Sequence, residues 1–279
     1  MDLAEFRPGV PVEISPGVRR VVAPNASAMT GPGTNSYVLG AAGWAVIDPG
    51  PDDPRHAAAL LAIAPAPRWI FVTHTHRDHS PLAQRLAAAT GAQLVGRPGP
   101  PDGRQDTGFR PDIIPQRDQR FEATGAKVAL RAIDTPGHAS NHICYLLEPE
   151  GLLFSGDHIL DGMTPVILAP DGDMQHYLEA LRRLRELPLA AIAPGHGRLL
   201  REPQAVIDAL VAHRLRREAK VIAALASQGS AELAALLEVV YADTPRTLHA
   251  LARLTLEAHL IKLMREGRAG RDGDRWVGV

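Results

Sequence analysis

Thr73-His74-Thr75-His76-Arg77-Asp78-His79 stands between an apolar run, Trp69 to Val72, and an Ala/Leu-rich helical pattern through Pro81 to Ala89. The apolar run predicts a buried strand that ends near Thr73. Ser80 followed by Pro81 predicts the helix start, a hydroxyl cap with proline in the first turn, and Gly91 predicts its end. In an extended segment residues two apart point to the same side, so His74 and His76 can serve one metal ion. Asp78 and His79 enter the turn of the following helix and can reach a second ion. One short loop thus offers four nitrogen and oxygen donors, and a compact pair of ions needs more, because zinc takes about four ligands and a catalytic ion keeps a place for water.

Further donors stand at the ends of other predicted strands, in Thr135-Pro136-Gly137-His138, Ser155-Gly156-Asp157 and Ala193-Pro194-Gly195-His196. Each has a glycine beside the candidate ligand, which permits the turn that swings a side chain from a strand end toward a common centre. The strands themselves are read at 18–22, 35–39, 44–48, 128–133, 143–147, 152–154 and 190–193, with helices over 54–63 and 173–186. Beyond Glu202 the pattern becomes helical, to about Ser227, from Ala231 to Tyr241 and from Pro245 to Glu266. Arg268 to Gly278 then reads as a hairpin about Asp272-Gly273. Three helices and a hairpin predict a winged-helix-like module. The Pro/Gly-rich stretch from Arg97 to Gly108 reads as a long surface loop.

His74-x-His76-x-Asp78-His79, followed by His138, Asp157 and His196, resembles in order and spacing the motif signature of the metallo-β-lactamase superfamily. Asp48, in Val46-Ile47-Asp48-Pro49-Gly50, resembles that family's first motif, an acidic residue that supports the metal loop without ligating. The resemblance covers most of residues 18–200 and implies an α/β chain with an αββα sandwich, the metals lying at one sheet edge. It implies that one ion takes His74, His76 and His138, that the other takes Asp78, His79 and His196, and that Asp157 bridges them. Gly31-Pro32-Gly33-Thr34-Asn35-Ser36-Tyr37, the Thr-His-x-His-Arg-Asp-His-Ser run and the helical tail also resemble the β-lactamase-like protein 2 group. Members of that group include an endoribonuclease and acyl-carrier thioesterases, so the resemblance bears on the site more than on the substrate. The expected domains are a catalytic one over 1–202 and a winged-helix-like one over 203–279.

Two divalent cations bring four positive charges, two carboxylates remove two, and neutral imidazoles remove none. A bridging hydroxide would leave such a cluster about one unit positive, able to hold a nucleophile near neutral pH and to stabilise an oxyanion. No Ser or Cys nucleophile is required. Asp78 and Asp157 are the expected catalytic carboxylates, Asp157 as the bridge and Asp78 additionally orienting the hydroxide. A thiol-free donor set predicts two zinc ions, with manganese or iron as alternatives. The first expectation for function is hydrolysis of an ester, thioester or lactone-like small substrate. A metal-dependent endoribonuclease acting on single-stranded RNA is the second, and a nucleic-acid-binding regulator with a structural metal domain the third.

The composition bears on these readings. Lys+Arg 30 against Asp+Glu 31 leaves a formal charge of -1, which gives no general attraction for RNA or an anionic membrane. The 279 residues are 45% hydrophobic, enough for a core, yet no apolar run approaches a membrane span. Cys144 is the only cysteine, and no charged segment followed by an apolar one stands near Met1, so a cytoplasmic protein is expected, with a homodimer allowed. His142 and His158 adjoin the motifs and are secondary candidates for lining the pocket. Thr34 and Asn35 can cap the glycine-rich turn or offer polar groups at the site mouth, and turn chemistry is the role assigned first. Arg214, Arg216, Arg217 and Lys220 are read as a solvated face.

Overall fold

A computed structural model describes residues 3–123 and 128–279. Two mixed sheets and two separate compact units organise these residues. Among the described residues, the first unit comprises 3–123, 128–135, 141–164 and 188–203; the second comprises 136–140, 165–187 and 204–279.

In the first unit one sheet runs in the order β1 (Val12–Ser15), β2 (Val18–Val22), β3 (Asn35–Leu39), β4 (Ala45–Ile47), β5 (Trp69–Phe71) and β6 (Gln93–Val95). Its first four strands are antiparallel neighbours, whereas β4, β5 and β6 pair in parallel. Parallel neighbours need crossovers. Helices α1 (Pro54–Ile63) and α2 (Ala83–Thr90) supply them. The other sheet runs β11 (Ala191–Pro194), β10 (Leu152–Gly156), β9 (Ile143–Glu148), β8 (Ala129–Asp134) and β7 (Arg120–Glu122), parallel only between β10 and β11.

Strand periodicity sorts the side chains into two cores. Tyr37 and Leu39, Ala45 and Ile47, and Trp69 and Phe71 pack with Leu130, Tyr145, Leu147 and Phe154 of the second sheet. The intervening Val38, Val46 and Ile70 pack with Leu60 of α1 and Leu86 of α2. Strands β3, β4 and β5 therefore bury both faces, one against the second sheet and the other against the helices. The C-terminal ends of β4, β5, β10 and β11 lead directly into Asp48, His74, Asp157 and His196.

Helix α1 has its expected bounds, because Asp53 accepts from the backbone N–H groups of Arg55 and His56 and Pro54 opens the first turn. Helix α2 starts later than expected. The Ser80 hydroxyl donates to Asp106 Oδ2 at 2.9 Å instead of capping the helix, and the chain makes a further turn before Ala83. The segment that supplies Asp106 is the expected surface loop, anchored at one end. Gln105 is buried, and Asp106 N–H donates to Thr75 O at 2.5 Å.

The second unit contains α3 (Met174–Arg185), nearly all of α4 (Pro203–Gln228), α5 (Leu233–Val240) and α6 (His249–Arg265). It also holds a three-stranded sheet, β12 (Ser230–Glu232), β14 (Arg275–Gly278) and β13 (Ala269–Asp272). The hairpin and helices are those expected of a winged-helix-like module; β12, which adds a third strand beside β14, is an addition. Leu225, Leu236, Val240, Leu256, Leu260 and Trp276 form its core. The cationic stretch on α4 is a solvated face only in part, at the exposed Arg216 and Lys220. Arg214 is buried over the Tyr177 ring and donates to Pro165 O, while Arg217 and Lys220 both pair with Asp243. Among the described residues no helix is long and apolar enough to cross a membrane.

Candidate active site

Three strand ends of the first unit, those of β5, β10 and β11, deliver His74, His76, Asp78, His79, Asp157 and His196 to one place. His79 Nε2 lies 3.4 Å from Asp78 Oδ2 and 3.4 Å from Asp157 Oδ1. His196 Nε2 lies 3.2 Å from the same Asp78 oxygen and 3.3 Å from the same Asp157 oxygen. His74 Nε2 and His76 Nδ1 are 2.9 Å apart. The donor atoms of His74, His79 and Asp157, and likewise of Asp78, His79 and His196, all lie within 4.8 Å of one another. His138 belongs to the second unit, where its Nδ1 lies 2.8 Å from Val166 O.

These spacings fit metal ligation. Tetrahedral zinc with bonds of about 2.0–2.1 Å separates its ligand atoms by about 3.3–3.4 Å. The four carboxylate–imidazole distances of 3.2–3.4 Å are long for charge-assisted hydrogen bonds and match that tetrahedral edge.

Proton directions in the surrounding shell point the same way. Asp48 Oδ1 accepts from Thr73 N–H at 2.7 Å, and its Oδ2 accepts from the Thr73 hydroxyl at 2.7 Å. The hydroxyl proton is thereby committed, so Thr73 Oγ1, 3.0 Å from His74 Nδ1, can only accept there. His74 consequently carries its proton on Nδ1 and turns its Nε2 lone pair toward His76. Asp48 Oδ2 also lies 2.9 Å from His79 Nδ1, and a carboxylate can only accept. Gly33 O does the same for His196 Nδ1 at 3.2 Å. Three imidazoles thus have their outer nitrogens protonated and their Nε2 atoms facing the cluster, as metal ligation requires.

Burial holds the His74 imidazole well below its ordinary pKa, with the charges of His79, His76 and His142 adding to the effect. Burial works against protonation of His79 and His196 too, but the flanking carboxylates overcome it: His79 is raised well above its ordinary value and His196 to about 9. Asp78 and Asp157 are both lowered against burial by the charges and hydrogen bonds of those imidazoles. The cluster therefore has the electrostatics of a cation site in which protons stand in for the cation.

Glycine is required at two ligand-bearing turns. Gly156 has φ +48°, and an added Cβ would lie 2.4 Å from Thr73 Oγ1. At Gly195 a Cβ would lie 2.5 Å from Asp157 Oδ1 and 2.8 Å from His79 Cε1.

His142 and His158 are fully buried; Thr135 Oγ1 lies 2.9 Å from His142 Nδ1, and the His142 ring stacks on His74 with centroids 5.0 Å apart. Cys144 is buried, and burial pushes its thiol up to about 12, which removes it as a nucleophile.

Further residues support the cluster, Thr34 and Asn35 beyond turn chemistry. Thr34 donates from Oγ1 to Asp78 Oδ2 at 3.2 Å. Asn35 N–H donates to Gly195 O at 2.7 Å, and its side-chain amide donates to Pro194 O at 2.9 Å and Gly197 O at 3.0 Å, gripping the His196 turn. Thr75 donates to Gln105 at 2.7 Å and accepts from Asn141 at 2.8 Å. The clue available in the sequence was position: Thr34 and Asn35 open a strand, and Thr73 and Thr75 flank His74.

Comparisons with known proteins bear on the family and the fold. The model of the Metallo-beta-lactamase superfamily matches residues 29–196, and that of the Beta-lactamase associated winged helix domain matches residues 233–276. A Beta-lactamase-like protein 2 homolog of Drosophila melanogaster is 31% identical over 274 residues, covering 91% of this chain and 90% of that protein. An atrochrysone carboxyl ACP thioesterase of Aspergillus fumigatus is 29% identical over 255 residues, covering 83% of this chain and 76% of that protein. The crystal structure of a beta-lactamase domain protein from Burkholderia ambifaria has a TM-score of 0.80 at 20% identity, covering 100% of this chain and 96% of that one.

Proposed function

The chain belongs to the metallo-β-lactamase superfamily, and from that premise we propose that it is a dinuclear, zinc-dependent hydrolase of a thioester, ester or lactone-like small substrate. The observation that carries the proposal is the set of imidazole–carboxylate distances of 3.2–3.4 Å among Asp78, His79, Asp157 and His196. Relatives described as thioesterases favour an acyl substrate among the bonds such a site can break.

In this reading His74, His76 and His138 hold one ion, Asp78, His79 and His196 the other, and Asp157 both. Zinc bound there supplies an activated water and polarises the carbonyl under attack. The chain's own residues prepare that chemistry. Asp48, directly and through Thr73, keeps the protons of His79 and His74 on Nδ1. Asp78, half-buried and therefore in reach of solvent, orients the attacking water. The division into a catalytic domain over 1–202 and a winged-helix-like domain over 203–279 is part of the same proposal.

The test compares initial rates of metal-loaded and chelated protein on an acyl thioester, a lactone and labelled single-stranded RNA. Chelator-sensitive turnover of the acyl substrate supports the proposal. Chelator-sensitive cleavage of RNA alone would replace it with the ribonuclease reading. Asp157→Ala should lose most bound metal and nearly all activity, and full metal content with normal rates would remove Asp157 as the bridge.

A further inference from the structure

Thr34 is fully buried at the mouth of β3, and the direction of its hydroxyl proton follows from its neighbours. Thr34 N–H lies 2.9 Å from Asn25 Oδ1, and a backbone N–H can only donate, so that side-chain atom is the amide oxygen. The other end of the Asn25 amide is then an NH2 group, and it donates to Thr34 Oγ1 at 2.9 Å. Thr34 Oγ1 accepts on that side, which leaves its single proton for Asp78 Oδ2 at 3.2 Å. That carboxylate oxygen is the one His79 Nε2 and His196 Nε2 face at 3.4 and 3.2 Å.

We propose that Asn25 and Thr34 form a one-way hydrogen-bond relay that fixes the rotation of the Asp78 carboxylate, making Thr34 a positioning residue for the second metal ion. The inference rests on the metal reading given above and adds to it a residue pair outside the ligand set. A donor on Oδ2 keeps that oxygen turned toward His79 and His196 and restrains the carboxylate from swinging to a bidentate or solvent-facing pose. The backbone beside it adds a second tie, since Thr34 bridges His196 and Gly33 O receives the His196 ring proton.

Three variants of the full-length, metal-reconstituted protein test the relay. Thr34→Val removes the donor at nearly constant shape, Thr34→Ser restores it, and Asn25→Asp reverses its direction. In the last, a carboxylate accepts from both Thr34 N–H and Thr34 Oγ1–H, which keeps the loop tied while turning the hydroxyl proton away from Asp78. The readout is zinc affinity by chelator competition, resolved into two ions, beside the melting temperature of the chelated protein. Thr34→Val should weaken one ion roughly 10- to 100-fold, the usual effect of losing an outer-shell partner, and leave the other near the wild-type value. Thr34→Ser should recover most of that loss. An added negative charge would by itself tighten a cation, so weaker binding in Asn25→Asp supports the relay, and tighter or unchanged binding overturns it. Unchanged affinity of both ions in Thr34→Val also overturns it. If the wild-type protein itself binds no ions, the metal reading fails; if it binds two and these variants match it, only the relay fails.

Discussion

Asp48→Asn replaces one oxygen by an NH2 group in a carboxylate that makes three short contacts, and the consequences can be followed atom by atom. The contact to Thr73 N–H at 2.7 Å requires an oxygen, so the amide nitrogen must take the place of Oδ2. There it faces Thr73 Oγ1 at 2.7 Å and His79 Nδ1 at 2.9 Å as a donor. His79 must then surrender its Nδ1 proton and carry it on Nε2. Thr73, now accepting from the amide, must send its own proton to His74 Nδ1, which moves the His74 proton to Nε2 as well. One isosteric change thus inverts the tautomers of two proposed ligands, one for each ion. The other amide rotamer sets NH2 against the Thr73 N–H and costs about 1–3 kcal/mol for an unmet buried donor. Each ion should weaken roughly 10- to 100-fold, about 1.4–2.8 kcal/mol. Chelator competition with zinc measures the loss, and circular dichroism on the chelated protein confirms the fold. Wild-type affinity for both ions in a folded Asp48→Asn protein would refute the tautomer argument.

Gly195→Ala should drive a methyl group to 2.5 Å from Asp157 Oδ1, so the carboxylate must retreat by several tenths of an ångström; loss of bound metal with a folded apo-protein is expected, and full stoichiometry would contradict it. In the chelated protein His196 is raised to about 9 from an ordinary 6.5, so its stabilisation is complete below pH 6.5 and disappears as pH rises through about 9. The chelated protein should therefore melt lower at pH 9.5 than at pH 6.5, as scanning calorimetry would read; the opposite slope would count against the ion cluster. Trp276→Ala empties a buried position in the three-stranded sheet and should cost about 3–5 kcal/mol, seen as lost amide protection in α5 and α6.

Local signals were legible wherever the physics is local. Helix α1 could be bounded from Asp53 and Pro54, because cap and first turn are adjacent in sequence. Helix α2 could not be, since the hydroxyl expected to cap it is taken by Asp106, 26 residues further on. Strands β1, β6, β7 and β12 are three or four residues long and, unlike the equally short β4 and β5, contain no uninterrupted apolar triplet. The candidate ligands stood out because each sits in a dipeptide or tripeptide with glycine or another donor. Their supports did not, because Thr34 meets Asp78 across 44 residues and Gly33 meets His196 across 163. A hydrogen-bond direction depends on what both partners already donate or accept elsewhere, which a linear pattern does not carry.

The supports around Asp78, His79 and His196 come from separate segments yet serve one proposed ion, and this makes their effects interdependent. Asp48 sets the His79 tautomer, Thr34 the Asp78 rotation and Gly33 the His196 tautomer. Each saves part of the cost of ordering a ligand before a cation arrives, as preorganisation does in any binding site. The saving from one ligand is realised fully only when the others are already in place. With the His79 proton moved onto Nε2 by Asp48→Asn, a correctly rotated Asp78 has less to align with. The combined loss in Asp48→Asn/Thr34→Val should therefore fall short of the product of the single losses by a measurable coupling, of the order of 0.5–3 kcal/mol for residues sharing a network. Strict additivity in that double-mutant cycle would mean that the two supports act on separate sites.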